Sequence, residues 1–285
     1  MSTAFQPMSP DEKDRFRSAY LAHLRARDGV PDLAAQRFDI RERFFARIDA
    51  SPLCWKGTPP VDQGIFDRNY SRSSPERGLD EATLWALATA KTNRAERFGV
   101  EREFEAHGVP ANAAEDPHVY IQVEEFYHTR ILEDALAAVG VRMSVSKPGF
   151  TTQMLVRTMV HLPDDLSDVM VLCGEIVGVA IFSLLLGKAR TLFAAQPEAL
   201  ARVETLFAQI LVDEVGHVHF VRSRLTAFQL GWAKRLLPLV AHGALEDLPE
   251  LVLLFGRKEI LRHAVAADVD AAAAPYPDRF VVNAA

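Results

Sequence analysis

Apolar residues recur at three- and four-residue spacing along four long stretches of this chain, the signature of helices with one buried face. The first opens at Asp80, a helix-capping residue ahead of Glu81, and is expected to run to about residue 106, where Gly108 and Pro110 stop it. The second starts at Asp116-Pro117, with proline at the first helical position, and stops near Gly140. Ile121, Glu125, His128 and Leu132 share one of its faces. The third runs over residues 163–194. The fourth starts at Gln196-Pro197 and is expected to reach Gly231, with Phe207, Ile210, Glu214, His217, Val218, Val221 and Leu225 facing inward.

Around these four the pattern is less regular. Residues 11–27, with Phe16, Tyr20 and Leu24 on one side, and residues 36–50, with Phe38, Phe44, Phe45 and Ile48, read as two further helices. Residues 51–78 are rich in Pro, Gly, Ser and Asp and read as an ordered loop or irregular arm; Cys54, Trp55, Ile65, Phe66 and Tyr70 make it too apolar for a free linker. Residues 140–163 form a long connection holding an apolar helical piece over 152–160, and residues 232–285 are helical at first and end in an Ala/Pro tail. No stretch shows the two-residue alternation of a half-buried strand, and no solenoid repeat is present.

Connection lengths then order the helices. A short loop, a long connection and a tight turn imply an all-α four-helix bundle with one long crossover, plus N- and C-terminal helical additions. The expected parts are a helical arm over 1–79 packed on the bundle, the bundle over 80–231, and an extension and tail over 232–285. In this order Glu96 lies about ten residues before the end of the first helix and Glu125 about eight after the start of the second. Across the later turn, Glu175 and Glu214 stand about nineteen residues before it and about seventeen after it. Each mismatch is about two residues, roughly 3 Å, so four acids fall at one height in the bundle.

Composition narrows the class. Apolar residues are 49 % and charged residues 25 % of the chain, the balance of a soluble globular protein. A net charge of −6 gives no electrostatic footprint for nucleic acid. Two cysteines, Cys54 and Cys173, cannot build a disulfide framework, which points to a reducing, cytoplasmic setting. The first residues lack the charged and apolar succession of a signal peptide. Residues 169–187 are uncharged except for Glu175 and nearly long enough to cross a bilayer. A lone carboxylate is costly in lipid and the other helices are amphipathic, so this stretch reads as the buried central helix of a soluble bundle, not a membrane span.

The chemistry concentrates in two short runs. Glu214 and His217 stand three apart on a helix, about 300° of rotation and roughly 4.5 Å of rise, so both side chains reach the same space. Glu125 and His128 repeat the spacing. With Glu96 and Glu175 at the same height, the set is Glu96, Glu125-x-x-His128, Glu175 and Glu214-x-x-His217. Glu101 competes with Glu96 for its place. An acid precedes each motif; Asp213 is placed to accept from His128 across the bundle and Glu124 from His217, as metal-bound imidazoles require of their neighbours. His219 is about 140° around the helix from Glu214 and is expected to face another helix or solvent. His118, His161, His242 and His263 fit surface or capping roles, and Tyr120 and Tyr127 fit packing.

The set resembles the ferritin-like carboxylate-bridged di-iron superfamily, over roughly residues 80–230, in which two helices give one Glu each and two give Glu-x-x-His. The resemblance implies that Glu125 and Glu214 bridge or flank two metals, that His128 and His217 bind one each, and that Glu96 and Glu175 are terminal ligands. Four carboxylates would balance two divalent ions. Two iron ions are implied, with manganese or a mixed pair as variants, and O2 as co-substrate. Gly174 and Gly178 flank Glu175, with Cys173 beside them, and leave either room for an organic molecule or a close helix contact.

The expected function is therefore an O2-dependent di-iron oxygenase or oxidase acting on a small, biosynthetic substrate by hydroxylation, N-oxygenation or desaturation. It would need an electron donor, no nucleic acid and no membrane, and a homodimer stays open. Bacterial arylamine N-oxygenases of the superfamily carry a third histidine four residues before the last Glu; here that position is Ile210. A tRNA-hydroxylase role sits poorly with the acidic balance. The alternatives are a ferroxidase or iron-storage bundle with no organic substrate, and a radical-generating subunit of a two-component enzyme.

Overall fold

Capping side chains mark where several helices begin. In the computed structural model, which describes residues 3–51, 55–107, 115–144 and 146–281, Ser9 and Glu12 close a capping box at the start of α1 (Pro10–Asp28). α2 (Arg41–Asp49) follows, and Asp62 caps α3 (Gln63–Tyr70). Asp80 accepts the Thr83 amide at 2.8 Å ahead of α4 (Glu81–His107), and Asp116 caps α5 (Pro117–Ala138). Then come α6 (Phe150–Val160), α7 (Asp164–Leu192), α8 (Pro197–Arg224) and α9 (Ala227–Ala244). The short helices α10 (Pro249–Phe255), α11 (Arg257–Ala266) and α12 (Val269–Ala273) complete the described chain.

α4 packs on α5, α5 on α8, α8 on α7, and α7 on α4, which closes a ring of four long helices. Trp85, Ile131, Phe182 and Phe207 are fully buried in it. The Trp85 indole meets Phe193 edge-on and donates to the Leu185 carbonyl at 2.9 Å, so even this large ring leaves no polar atom unsatisfied. Around the ring, α1 packs on α5 and α8, α3 and α10 on α4, α9 and α11 on α7, and α12 on α8. Residues from the N-terminal, central and C-terminal segments all belong to one hydrophobic core. α7 is long and apolar enough to cross a membrane, yet 61 % of its most apolar window is buried within the protein, as in the core helix of a soluble one.

Three expectations about boundaries are corrected. The helix expected over 36–50 begins only at Arg41, because Arg37–Phe38 (β2) pairs with Pro31–Asp32 (β1) in a small antiparallel ladder. A tertiary contact adds to it: the Phe38 amide donates to Tyr127 Oη at 2.9 Å, across a wide sequence gap. The fourth long helix ends at Arg224, not Gly231, because Thr226 and Gln229 form a capping box that starts a new helix. The arm over 51–78 contains the helix α3. The expected stops at Gly108 and Pro110, and Cys54, lie outside the described residues.

Candidate metal centre

Each long helix brings one part of the acidic and imidazole set inward. Glu96 comes from α4, Glu125 and His128 from α5, Glu175 from α7, and Glu214 and His217 from α8. One donor atom from each of Glu96, Glu125, His128 and Glu214 lies within 4.8 Å of the others, and the same holds for Glu125, Glu175, Glu214 and His217. Glu125 and Glu214 belong to both groups. Either group could hold a metal ion. Glu101 stays outside, paired to Arg97 at 2.9 Å on the surface of α4.

The two imidazoles lie side by side, ring centroids 5.6 Å apart, and both are fully buried. Glu125 stands between them, with Oε2 at 3.2 Å from His128 Nδ1 and Oε1 at 3.0 Å from His217 Nδ1. Glu214 Oε1 lies 3.4 Å from the former nitrogen and Glu175 Oε2 3.6 Å from the latter. Neither Nδ1 makes a well-formed hydrogen bond. The opposite edge of each ring is tied: His128 Nε2 is 3.1 Å from Asp213 Oδ2, and His217 Nε2 is 2.9 Å from Glu124 Oε2. With its Nε2 proton given to a carboxylate, each ring in its neutral form turns a Nδ1 lone pair toward the acids. Two orphaned, buried nitrogens facing oxygen donors fit a bound cation, because a cation fills the one role the protein leaves open.

The charges around the site agree. Burial, with Glu125 beside it, pushes the Glu96 carboxyl well above the usual range, and burial with Glu175 does the same to Glu214. Burial also works against the Glu125 anion, yet His128 and His217 hold it well below that range. Burial opposes a charged His128, but Glu125 and Asp213 push it up to about 9. Without a cation, protons must neutralise this crowded set, which is the same demand that a divalent ion meets.

A second ring of charge holds the carboxylates behind the imidazoles. Arg27, from α1, pairs with Asp28 and Asp213 at 2.7 Å each and with Glu124. Arg41, from α2, pairs with Asp213 and lies 3.6 Å from Asp28 and from Glu124. Burial would raise Asp213, but the two guanidiniums hold it well below its usual range. Sequence reasoning missed Arg27, Asp28 and Arg41. Their helices give no spacing signal that separates them from a solvated charged face.

On the other side the acids open onto a cavity of about 550 Å³, lined by Glu96, Glu125, Glu175 and Glu214 and otherwise by a largely apolar wall that includes Ile121, Met159 and Ile181. A methyl group at Gly174 would meet nothing within 4 Å, so this glycine gives open space in the cavity wall. At Gly178 it would lie 3.0 Å from Glu214 Oε2, so this glycine makes room for the acid. Gln122, one turn before Glu125, lines the cavity with a buried Oε1 that has no hydrogen-bond partner.

The remaining candidates sit elsewhere. His219 is buried, with Nε2 2.8 Å from Asp270 Oδ1 on α12. Tyr127 stacks between Phe38 and Phe45 and donates to Glu42 at 2.8 Å, and Tyr120 stacks on Phe38. His161 and His242 are exposed, and His118 and His263 are partly so. Cys173 is a free, buried thiol that donates to the Ala233 carbonyl at 3.3 Å. No protein-family model, curated protein or solved structure matches the chain.

Proposed function

We propose that this chain is an O2-dependent, non-haem di-iron oxygenase or oxidase of the ferritin-like type, acting on a small organic substrate in a reducing cytoplasm with electrons from a separate donor. The observation that carries the reading is the sharing of Glu125 and Glu214 between two donor groups that open on one cavity. In it Glu125 and Glu214 would serve both ions, Glu96 with His128 and Glu175 with His217 would complete the holding of one each, and the mixed oxygen and imidazole donors would suit a redox-active first-row pair, iron first with manganese or a mixed pair as variants.

A bound iron pair supplies the electrons for O2 reduction and the oxidising power that the protein itself lacks. The chain's own part is positional. Asp213 and Glu124 keep a proton on each Nε2, which fixes the tautomer and ring plane. Arg27 and Arg41 keep Asp213 ionised, and Arg27 works against the burial that raises Glu124. The half-buried faces of Glu96, Glu125 and Glu175 turn toward the cavity, so a substrate there approaches the acids while the imidazole side stays dry. A cavity of about 550 Å³ is in the range for a small organic molecule and exceeds what iron alone needs. That size speaks against a ferroxidase or storage bundle.

The test is metal analysis of protein purified without added metal, with O2 uptake followed after anaerobic ferrous loading. About two metals per chain and uptake faster than the buffer rate are expected. Glu175→Ala and His217→Ala should each lose most of the metal; wild-type content in both variants defeats the proposal. Size-exclusion mass separates the storage alternative, since a cage is many-fold larger than a dimer.

A further inference from the structure

The cavity wall holds one cationic group that the protein leaves half used. Arg94, on α4, is 8 % exposed and lines the cavity. Its Nη1 is anchored, donating to the Tyr70 carbonyl at 3.2 Å and to Ser146 Oγ at 3.3 Å, and the guanidinium lies 4.8 Å over the Tyr70 ring. Its Nε is buried without a hydrogen-bond partner. Its Nη2 makes no hydrogen bond, is not sealed off as Nε is, and has no carboxylate within 4 Å among the described residues.

The other charges on this wall are matched. Lys91 is held by Glu250 at 2.5 Å and by the Arg72 carbonyl at 2.8 Å. Arg224 pairs with Asp168 at 2.8 Å. Asp247 accepts the Thr152 amide at 2.7 Å, near the start of α6 where a helix dipole favours an anion. Arg94 is left over. A buried guanidinium with unused donors is costly, and an anion in the cavity can complete it at Nη2 with a charge-assisted hydrogen bond.

We propose that Arg94, through its unpartnered Nη2, recognises the carboxylate of the organic substrate, which is therefore a small carboxylic acid with an apolar body. The word substrate rests on the function proposed above; the anion site itself does not. Arg94 and Glu96 both line the cavity, about 3 Å apart along the helix axis and about 200° apart around it. A carboxylate held there lays its apolar body along the wall that includes Ile121, Met159 and Ile181, in reach of the acids. Arg94 so acts as a specificity-determining residue, and an amide or amine of equal shape lacks the charge to use it.

The probes are 4-phenylbutyrate, 4-phenylbutyramide and 4-phenylbutylamine, titrated calorimetrically into the full chain, both metal-loaded and metal-free. The acid should bind at least about tenfold tighter than the amide in the loaded protein, and the amine more weakly than either. Arg94→Gln should bring acid and amide within about twofold of each other, and Arg94→Lys should keep part of the preference. Equal binding of acid and amide by the wild type, saturable binding of none of the three, or a tenfold preference that survives Arg94→Gln overturns the proposal. The last outcome would mark a carboxylate held by the metal ions. Should Arg94→Gln not fold, the wild-type series and Arg94→Lys decide. Metal content measured on the same samples separates the two readings: full metal with no acid preference sinks only the Arg94 site, and an acid preference in protein that takes up no metal when offered it sinks only the di-iron function.

Discussion

Glu124 Oε2 lies 2.9 Å from His217 Nε2, and neither side chain is exposed to solvent. The contact joins α5 to α8 and fixes which ring nitrogen faces the acids. Glu124→Ala should lower metal affinity about 10- to 100-fold, because the imidazole loses the partner that sets its tautomer. Arg27 keeps Asp28 and Asp213 as partners, so helix content should be unchanged. Competition with a chromogenic chelator measures the affinity, and a wild-type value would leave Glu124 without a part in the site.

A methyl group at Gly216 would lie 2.5 Å from Tyr20 Oη and 3.0 Å from two of its ring carbons. Tyr20 is 2 % exposed and packed against Phe16, Phe220 and Phe280, so its ring has nowhere to move. Gly216→Ala should therefore destabilise the protein by about 1–3 kcal/mol in urea unfolding, the usual cost of overpacking a core. Adding Tyr20→Phe removes the nearest atom and should restore part of the loss. If the single variant unfolds at the wild-type midpoint, the close approach of α1 to α8 is not real.

Lys91 and Glu250 form an ion pair at 2.5 Å with side chains 1 % and 0 % exposed, joining α4 to α10. Removing one charge strands the other out of water, so Glu250→Gln should cost about 3–5 kcal/mol. Replacing both together, Lys91→Met with Glu250→Leu, should cost far less, since neither charge is then buried alone. A double variant as unstable as the single one would show that the pair is needed for more than mutual neutralisation.

The hydrogen bond from His219, 2.8 Å away, holds the Asp270 carboxyl down to about 2, against burial, with Thr3 as a further donor. An acid whose folded value lies below its unfolded value of about 3.9 stabilises the fold at any pH above that value. This stability is lost as pH falls toward 2. Between pH 4 and pH 2 the wild type should lose stability more steeply than Asp270→Asn, in urea midpoints taken at each pH. Parallel curves for the two proteins would remove Asp270 as the cause.

Much of the helical framework is legible from local chemistry. Asp80, Asp116 and Pro197 each mark a helix start because capping and the proline restriction act within one turn, with no help from distant residues. The same local rule, overlooked at Thr226 and Gln229, misplaced the end of the fourth long helix. The strand pair at Pro31–Asp32 and Arg37–Phe38 has no such signal. Its Phe38 amide is held by Tyr127, a partner that no window of sequence around it contains.

The site divides along the same line. Two Glu-x-x-His runs place an acid and an imidazole together by helix geometry alone, and connection lengths bring Glu96 and Glu175 to their height, so these residues can be read from spacing. What lies behind and before them cannot. Arg27, Asp28 and Arg41 come from outside the four long helices, and Arg94 Nη2 is left over only because Tyr70 and Ser146 take Nη1 while Lys91 and the Thr152 amide occupy Glu250 and Asp247. Periodicity reports how a helix faces its neighbours, which is a short-range property. Which charge goes unpaired is a sum over the whole packed interior, and only the tertiary structure decides it.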